Sequence, residues 1–267
     1  MPEAQTARLA PVRFRGRGFV IKPCWYGSLA AFVIIIALWQ AAGSYGWVSP
    51  LFLPSPRAIL QALIALTASG ELVRHVAASA MRIGAGWALG TAAGIAVGLA
   101  MGLWGLARSI GISVVSALFP IPKIALLPLL ILWLGIGEPS KIATIALGVF
   151  FPTTIATYSG VDSVPRTLIR MAQSFDLPFA AIVWKIVIPA ALPSILSGFR
   201  ISASIALLLV VSAEMIGADR GIGAFVLQAG NLMQTDQLLA GVVVLSVFGL
   251  VVARLIGFLE ARLLAWR

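Results

Sequence analysis

Side chains able to ionise, ligate or attack are scarce in these 267 residues, and where they do occur they set the terms of the reading. One His (His75) and one Cys (Cys24) exclude a disulfide scaffold and a multi-ligand zinc centre built from this chain alone. No Ser/His/Asp set and no paired catalytic carboxylates assemble, which argues against an enzyme. What remains is of two kinds. Lys123, Arg200 and Glu214 each interrupt long apolar stretches, where an ionisable group must reach water, a partner or a counter-charge. Residues 161 to 190, by contrast, form a long polar insertion.

The apolar stretches identify the solvent. The chain is 60% hydrophobic and 10% charged, against roughly 45 to 50% and about 25% in a soluble domain. A membrane helix needs about 20 apolar residues. Charge-poor windows of that size predict six spans: 24 to 42, 83 to 107, 111 to 134, 142 to 160, 192 to 216 and 238 to 259. The expected fold is all-α, a polytopic membrane bundle. The third window carries Pro120, Pro122, Lys123 and Pro128, so it is predicted to be broken and to face the interior of an assembly. In the second, Gly86, Gly90, Gly94, Gly98 and Gly102 recur every four residues. This is a stripe for close backbone packing against a neighbouring helix.

The net charge of +10 is read as orientation rather than nucleic-acid binding. Six spans put both termini on one side. If the tail of residues 1 to 23, with Arg8, Arg13, Arg15, Arg17 and Lys22, is cytoplasmic, that side also holds Arg108, Arg166, Arg170, Lys185, Arg254, Arg262 and Arg267. The other side holds Arg57, Arg74, Arg82, Lys141 and Arg220. Twelve against five places the N-terminus inside. On the outer side Ser55 and Pro56 predict the start of an amphipathic surface helix carrying Ile59, Leu60, Leu63, Ile64 and Leu66. His75 is expected outside the core, and Asp219 to Gly223 are expected to form a surface turn.

Within residues 161 to 190, Asp162 or Ser163 is positioned to cap a helix entered through Pro165 and ending near Phe175-Asp176. Asp tolerates left-handed backbone, so Asp176 can end that helix and cap a second short one begun through Leu177-Pro178. The second is expected to meet the membrane at Ile186-Val187-Ile188-Pro189.

Here the sequence resembles the permease subunits of bacterial ABC importers of the binding-protein-dependent type. Their cytoplasmic loop reads E-A-A, three residues, G, nine residues, I-x-L-P. Aligned on Pro189, this chain matches at Ala172, Ile186 and Pro189, while Arg170, Met171, Asp176 and Ile188 stand at the Glu, first Ala, Gly and Leu positions. From about residue 47 onward, strings such as LFLPSPRAIL, FPIPKIALLPLLILWLGIGEPSK, LGVFFPTTIATYSGVDSVP, IPAALPSILSGFRIS and SAEMIGADRGIG are similar to the nitrate, sulfonate, taurine and bicarbonate branch.

The resemblance implies a type I importer permease fold in the inner membrane, with residues 24 to 267 as one transmembrane domain. Two copies would form the pathway, two cytoplasmic ATPase subunits would dock beneath, and a periplasmic or lipid-anchored binding protein would deliver the solute, a small anion such as nitrate, alkanesulfonate or taurine. The chain has no G-x-x-x-x-G-K-[ST] phosphate loop, so ATP and Mg would be bound by the partner and this chain needs no cofactor.

Arg170, Met171, Ala172, Phe175 and Asp176, with Ile186 and Pro189, would couple the bundle to the ATPase, and Phe175 and Met171 would be its apolar anchors. Glu214 would be a gate or docking residue for the binding protein, or else a helix-end acid solvated at the interface or paired to a neighbour. Lys123 and Arg200 would offset solute charge in the pathway, or else snorkel to an interface. The altered loop leaves one alternative: a membrane scaffold that keeps the fold without coupling.

Overall fold

The computed structural model describes residues 25–265, all of whose regular elements are helical. The basic tail of residues 1 to 23, Cys24 and Arg267 lie outside the described residues. The elements are α1 (Trp25–Ser44), α2 (Pro56–Ala68), α3 (Glu71–Leu103), α4 (Gly105–Leu118), α5 (Leu127–Leu134), α6 (Glu138–Asp162), α7 (Arg166–Ser174), α8 (Phe179–Ile182), α9 (Ile188–Met215), α10 (Ile222–Asn231) and α11 (Thr235–Leu263). Among the described residues five helices are long and apolar enough to cross a membrane, and the count reaches six if the bent pair of α4 and Lys123–Leu134 counts as one span.

α6 is the centre of the bundle, and glycines let its neighbours approach. A methyl group at Gly86 would lie 2.7 Å from Ile145, at Gly94 2.8 Å from Thr153, at Gly98 2.6 Å from Thr157, and at Gly102 2.5 Å from Val161. The facing residues of α6 also step by four, so two matched stripes interlock along the length of both helices. On the other side of α6, Gly160 meets the Ala191 carbonyl and Gly198 meets Ala156, bringing α9 in equally close. Ser194 donates to the Ala156 carbonyl at 2.8 Å across that contact.

The third span is indeed broken. α4 and the segment from Lys123 to Leu134 bend by 87° at the prolines. The end of α4 leaves carbonyls without the donors that a continuing helix would supply, although Ile121 N–H reaches the Leu118 carbonyl at 3.3 Å. Lys123 fills that need: its ammonium donates to Leu118, Phe119 and Ile121 at 2.8, 3.0 and 2.7 Å, and sits 4.3 Å above the Phe151 ring. All three of its N–H groups thus have acceptors within the bend.

Two boundaries differ from the sequence reading. α3 starts at residue 71 rather than 83 and, at 33 residues, is about 50 Å long against roughly 30 Å of hydrocarbon. A charge-free window marks the lipid, and the helix continues past it. Arg74 and Arg82 therefore sit on α3 and Lys141 sits on α6, on helical turns beyond the charge-free windows. The second short helix after residue 176 is also no separate element. α8, a wide π-turn at Val183–Val187 and α9 form one continuous 37-residue helix. Pro189 lacks an N–H and its ring crowds the carbonyl four residues back, and the π-turn, closed by Ile188 N–H to Val183, accommodates it. As expected, Ser55 caps α2 by accepting from Ala58 N–H at 3.3 Å, and Ile59, Ala62 and Leu66 pack against Phe225 and Ala240.

Candidate functional site

The bundle has two specialised ends, because α6 and α9 run in opposite directions from each. At one end, α7 and the start of the 37-residue helix form a hairpin. Ala172, buried, packs with Val161, Val164, Ile182, Val187, Ala191 and Ile195, and Ile169 and Ile186 flank this cluster. The hairpin is thereby fixed to α6 and α9 and can transmit a rigid displacement. Asp176 has φ 54°, and Leu177 N–H donates back to the Ala172 carbonyl at 3.2 Å, closing α7 with left-handed backbone as its sequence predicts.

The capping expectations at the start of each helix are corrected. Pro165 precedes α7 with no side-chain cap, since Asp162 pairs with Arg108 at 2.9 Å and Ser163 donates to Gly160 at 2.8 Å. Pro178, rather than Asp176, stands at the start of the second helix.

Of the seven expected coupling residues, Arg170, Met171, Phe175 and Asp176 are exposed, with Met171 at 52% and Phe175 at 72%. Ala172, Ile186 and Pro189 are buried or half-buried and support the hairpin from beneath. Leu168, Leu177, Phe179 and Trp184 add exposed apolar surface to the same projection. A Trp beside a Lys just before the membrane segment was the available signal for Trp184.

The opposite end holds a charge network. Arg82, 3% exposed, makes a bidentate pair with Glu138 at 2.6 Å and donates to Glu214 and to the Arg220 carbonyl, also at 2.6 Å. Glu214, 1% exposed, further accepts from Ser79 at 2.7 Å and from Gly223 N–H at 2.9 Å. His75 Nδ1 accepts from Gly221 N–H at 3.1 Å, and Ile222 N–H donates to Ser79 at 2.9 Å. Three successive amides at the start of α10 are thus held by α3 and α9. Lys141, buried, donates to Gly137 at 3.1 Å beside Glu138, so two cations face two carboxylates.

Two expectations fall here. His75 is buried, with its ring 5.3 Å from Phe225. Residues 219 to 223 are not a plain surface turn, because Gly221, at φ 142°, leaves no room for a Cβ against the Glu214 carboxylate. Glu214, one residue from the end of α9, is the paired helix-end acid of the sequence reading, bound to Arg82 and Ser79. The spacing of His75, Ser79 and Arg82, one face of one helix, was the sequence signal. Lys123 and Arg200 have separate partners: Lys123 holds the bend, and Arg200 pairs with Glu260.

The described residues thus form a glycine-packed helical bundle with a projecting hairpin at one end and a buried charge network at the other. Residues 90–265 match the family described as "Binding-protein-dependent transport system inner membrane component". The chain is 40% identical to the "Putative aliphatic sulfonates transport permease protein SsuC" of Escherichia coli (strain K12) over 87% of this chain and 88% of that protein. It is 36% identical to the SsuC protein of Bacillus subtilis (strain 168), over 91% of this chain and 88% of that one. It is also 36% identical to the "Taurine transport system permease protein TauC" of Escherichia coli (strain K12), over 90% and 89%. Its fold matches the inward-facing MetNI methionine ABC transporter with a TM-score of 0.62 at 21% identity, covering 72% of this chain and 95% of that one.

The chain belongs to this family and is the membrane permease subunit of an ABC importer. Its partners are ATP-binding subunits and a substrate-binding protein.

Proposed function

We propose that this permease carries a small organosulfonate, of the alkanesulfonate or taurine kind, through a pathway formed by two copies of the chain. The observation that carries the substrate class is its 36 to 40% identity, over most of its length, to permeases named for aliphatic sulfonates and taurine. Both termini face the cytoplasm, as the distribution of Lys and Arg supports, and residues 24 to 267 act as one domain behind a basic tail. The hairpin built on α7 meets the ATPase through Arg170, Met171, Phe175 and Asp176, with Ala172, Ile186 and Pro189 bracing it. Glu214 serves the outer end as the anchor of α10, while Lys123 shapes the broken span and Arg200 ties α9 to α11.

The test is ATP hydrolysis by the reconstituted complex. Binding protein loaded with taurine or an alkanesulfonate is expected to stimulate hydrolysis several-fold, and nitrate is expected to do so much less. Stimulation by nitrate alone would overturn the substrate class. No stimulation by any of these ligands would favour a scaffold.

A further inference from the structure

The hairpin carries a charge pattern that works against its own helix. Arg166 and Arg170 stand four residues apart on α7, both exposed, so they repel across one turn. Arg166 is also the first residue of α7, where the helix dipole disfavours a cation, and the first turn contains no acid. Neither arginine has a carboxylate partner among the described residues. Asp162, four residues before Arg166, is engaged with Arg108. Lys185, exposed on the adjoining helix, adds a third cation, and Asp176 is the only acid between residues 163 and 190. Beside the arginines, Met171 and Phe175 project as apolar knobs.

Building on the assignment of this hairpin to ATPase coupling, we infer that the groove of the ATP-binding subunit that receives α7 is acidic, with carboxylates facing Arg166 and Arg170 around an apolar socket for Met171 and Phe175. Burial of the apolar knobs supplies the contact, and the paired charges fix which groove fits and in which register. The family loop has Glu at the Arg170 position, so an ATPase matched to that Glu presents like charge to this chain. Such pairing is disfavoured. A rival occupant for the arginines is an anionic lipid headgroup.

Binding of the cognate ATP-binding subunit to the full chain in nanodiscs of neutral phosphatidylcholine separates these readings. Arg166→Gln with Arg170→Gln is expected to weaken binding at least tenfold at low salt and to flatten its salt dependence. Arg166→Glu with Arg170→Glu should abolish binding, and reversing two groove carboxylates to Lys should restore it. Unchanged affinity and salt slope in the Gln variant overturn the acidic groove, as does a defect that appears only when phosphatidylglycerol is present. Phe175→Ala distinguishes the two levels: if it alone weakens binding, the hairpin still docks but not through charge, and if neither variant does, the docking assignment itself fails.

Discussion

Arg82→Ala should destabilise the permease by about 3 to 5 kcal/mol, because it leaves Glu214, 1% exposed, as an unpaired carboxylate. Glu214 has Ser79 and Gly223 N–H as remaining donors, which hold it in place but do not balance its charge. The pair itself is no proof of net stability, since the desolvation of two buried ions offsets much of their attraction. What it secures is position. One guanidinium joins α3 to α6 through Glu138, to α9 through Glu214, and to the turn before α10 through the Arg220 carbonyl. Arg82→Met combined with Glu214→Gln should therefore be less destabilised than Arg82→Met alone. Thermal unfolding in detergent, with proteolysis at residues 217 to 221 as a local readout, checks both statements. Equal or additive losses would show that Glu214 finds compensation elsewhere.

Gly90→Leu should abolish folded protein in the membrane, at a cost of at least about 3 kcal/mol, the upper range for overpacking. At this position even a methyl group would run into the backbone carbonyl of Ala146, with Val149 2.9 Å away. A backbone carbonyl within α6 cannot swing aside as a side chain can. α6 also cannot retreat, because Gly160 and Gly198 lock its opposite face against α9. Gly84→Leu is the control: it lies on the same helix with nothing within 4 Å of the added group, and should be accommodated. Membrane-inserted yield and unfolding midpoint report the difference. Similar behaviour of the two variants would mean that the stripe does not set the packing.

The parts of this molecule visible in the sequence are those written in local periodicity. Five glycines at a spacing of four announce a close helix contact without naming the neighbour, and Ser55-Pro56 announces a helix start. The prolines around Lys123 announce a break, and an Asp able to take left-handed backbone marks the end of α7. The charge network was not visible because its members are distant in sequence: Arg82 meets Glu138 56 positions away and Glu214 132 positions away. Composition placed Arg82 and His75 outside the spans because charged residues leave the lipid. The helix carries them past it and the fold then buries them against each other. The hairpin lies between these cases. Its turn was legible, while its merger into a 37-residue helix through a π-turn depended on how Pro189 is accommodated.

The central claim is that the polar hairpin passes ATP-driven motion of the soluble subunits to the bundle. It is tested most directly by ATP-dependent solute uptake into proteoliposomes containing the full complex with Phe175→Ala. Phe175 is 72% exposed, so the variant should insert and fold normally. Uptake should fall at least tenfold, as expected for removal of a buried aromatic anchor worth about 2 kcal/mol or more. Uptake at the parental rate, with normal ATPase association, would contradict the account.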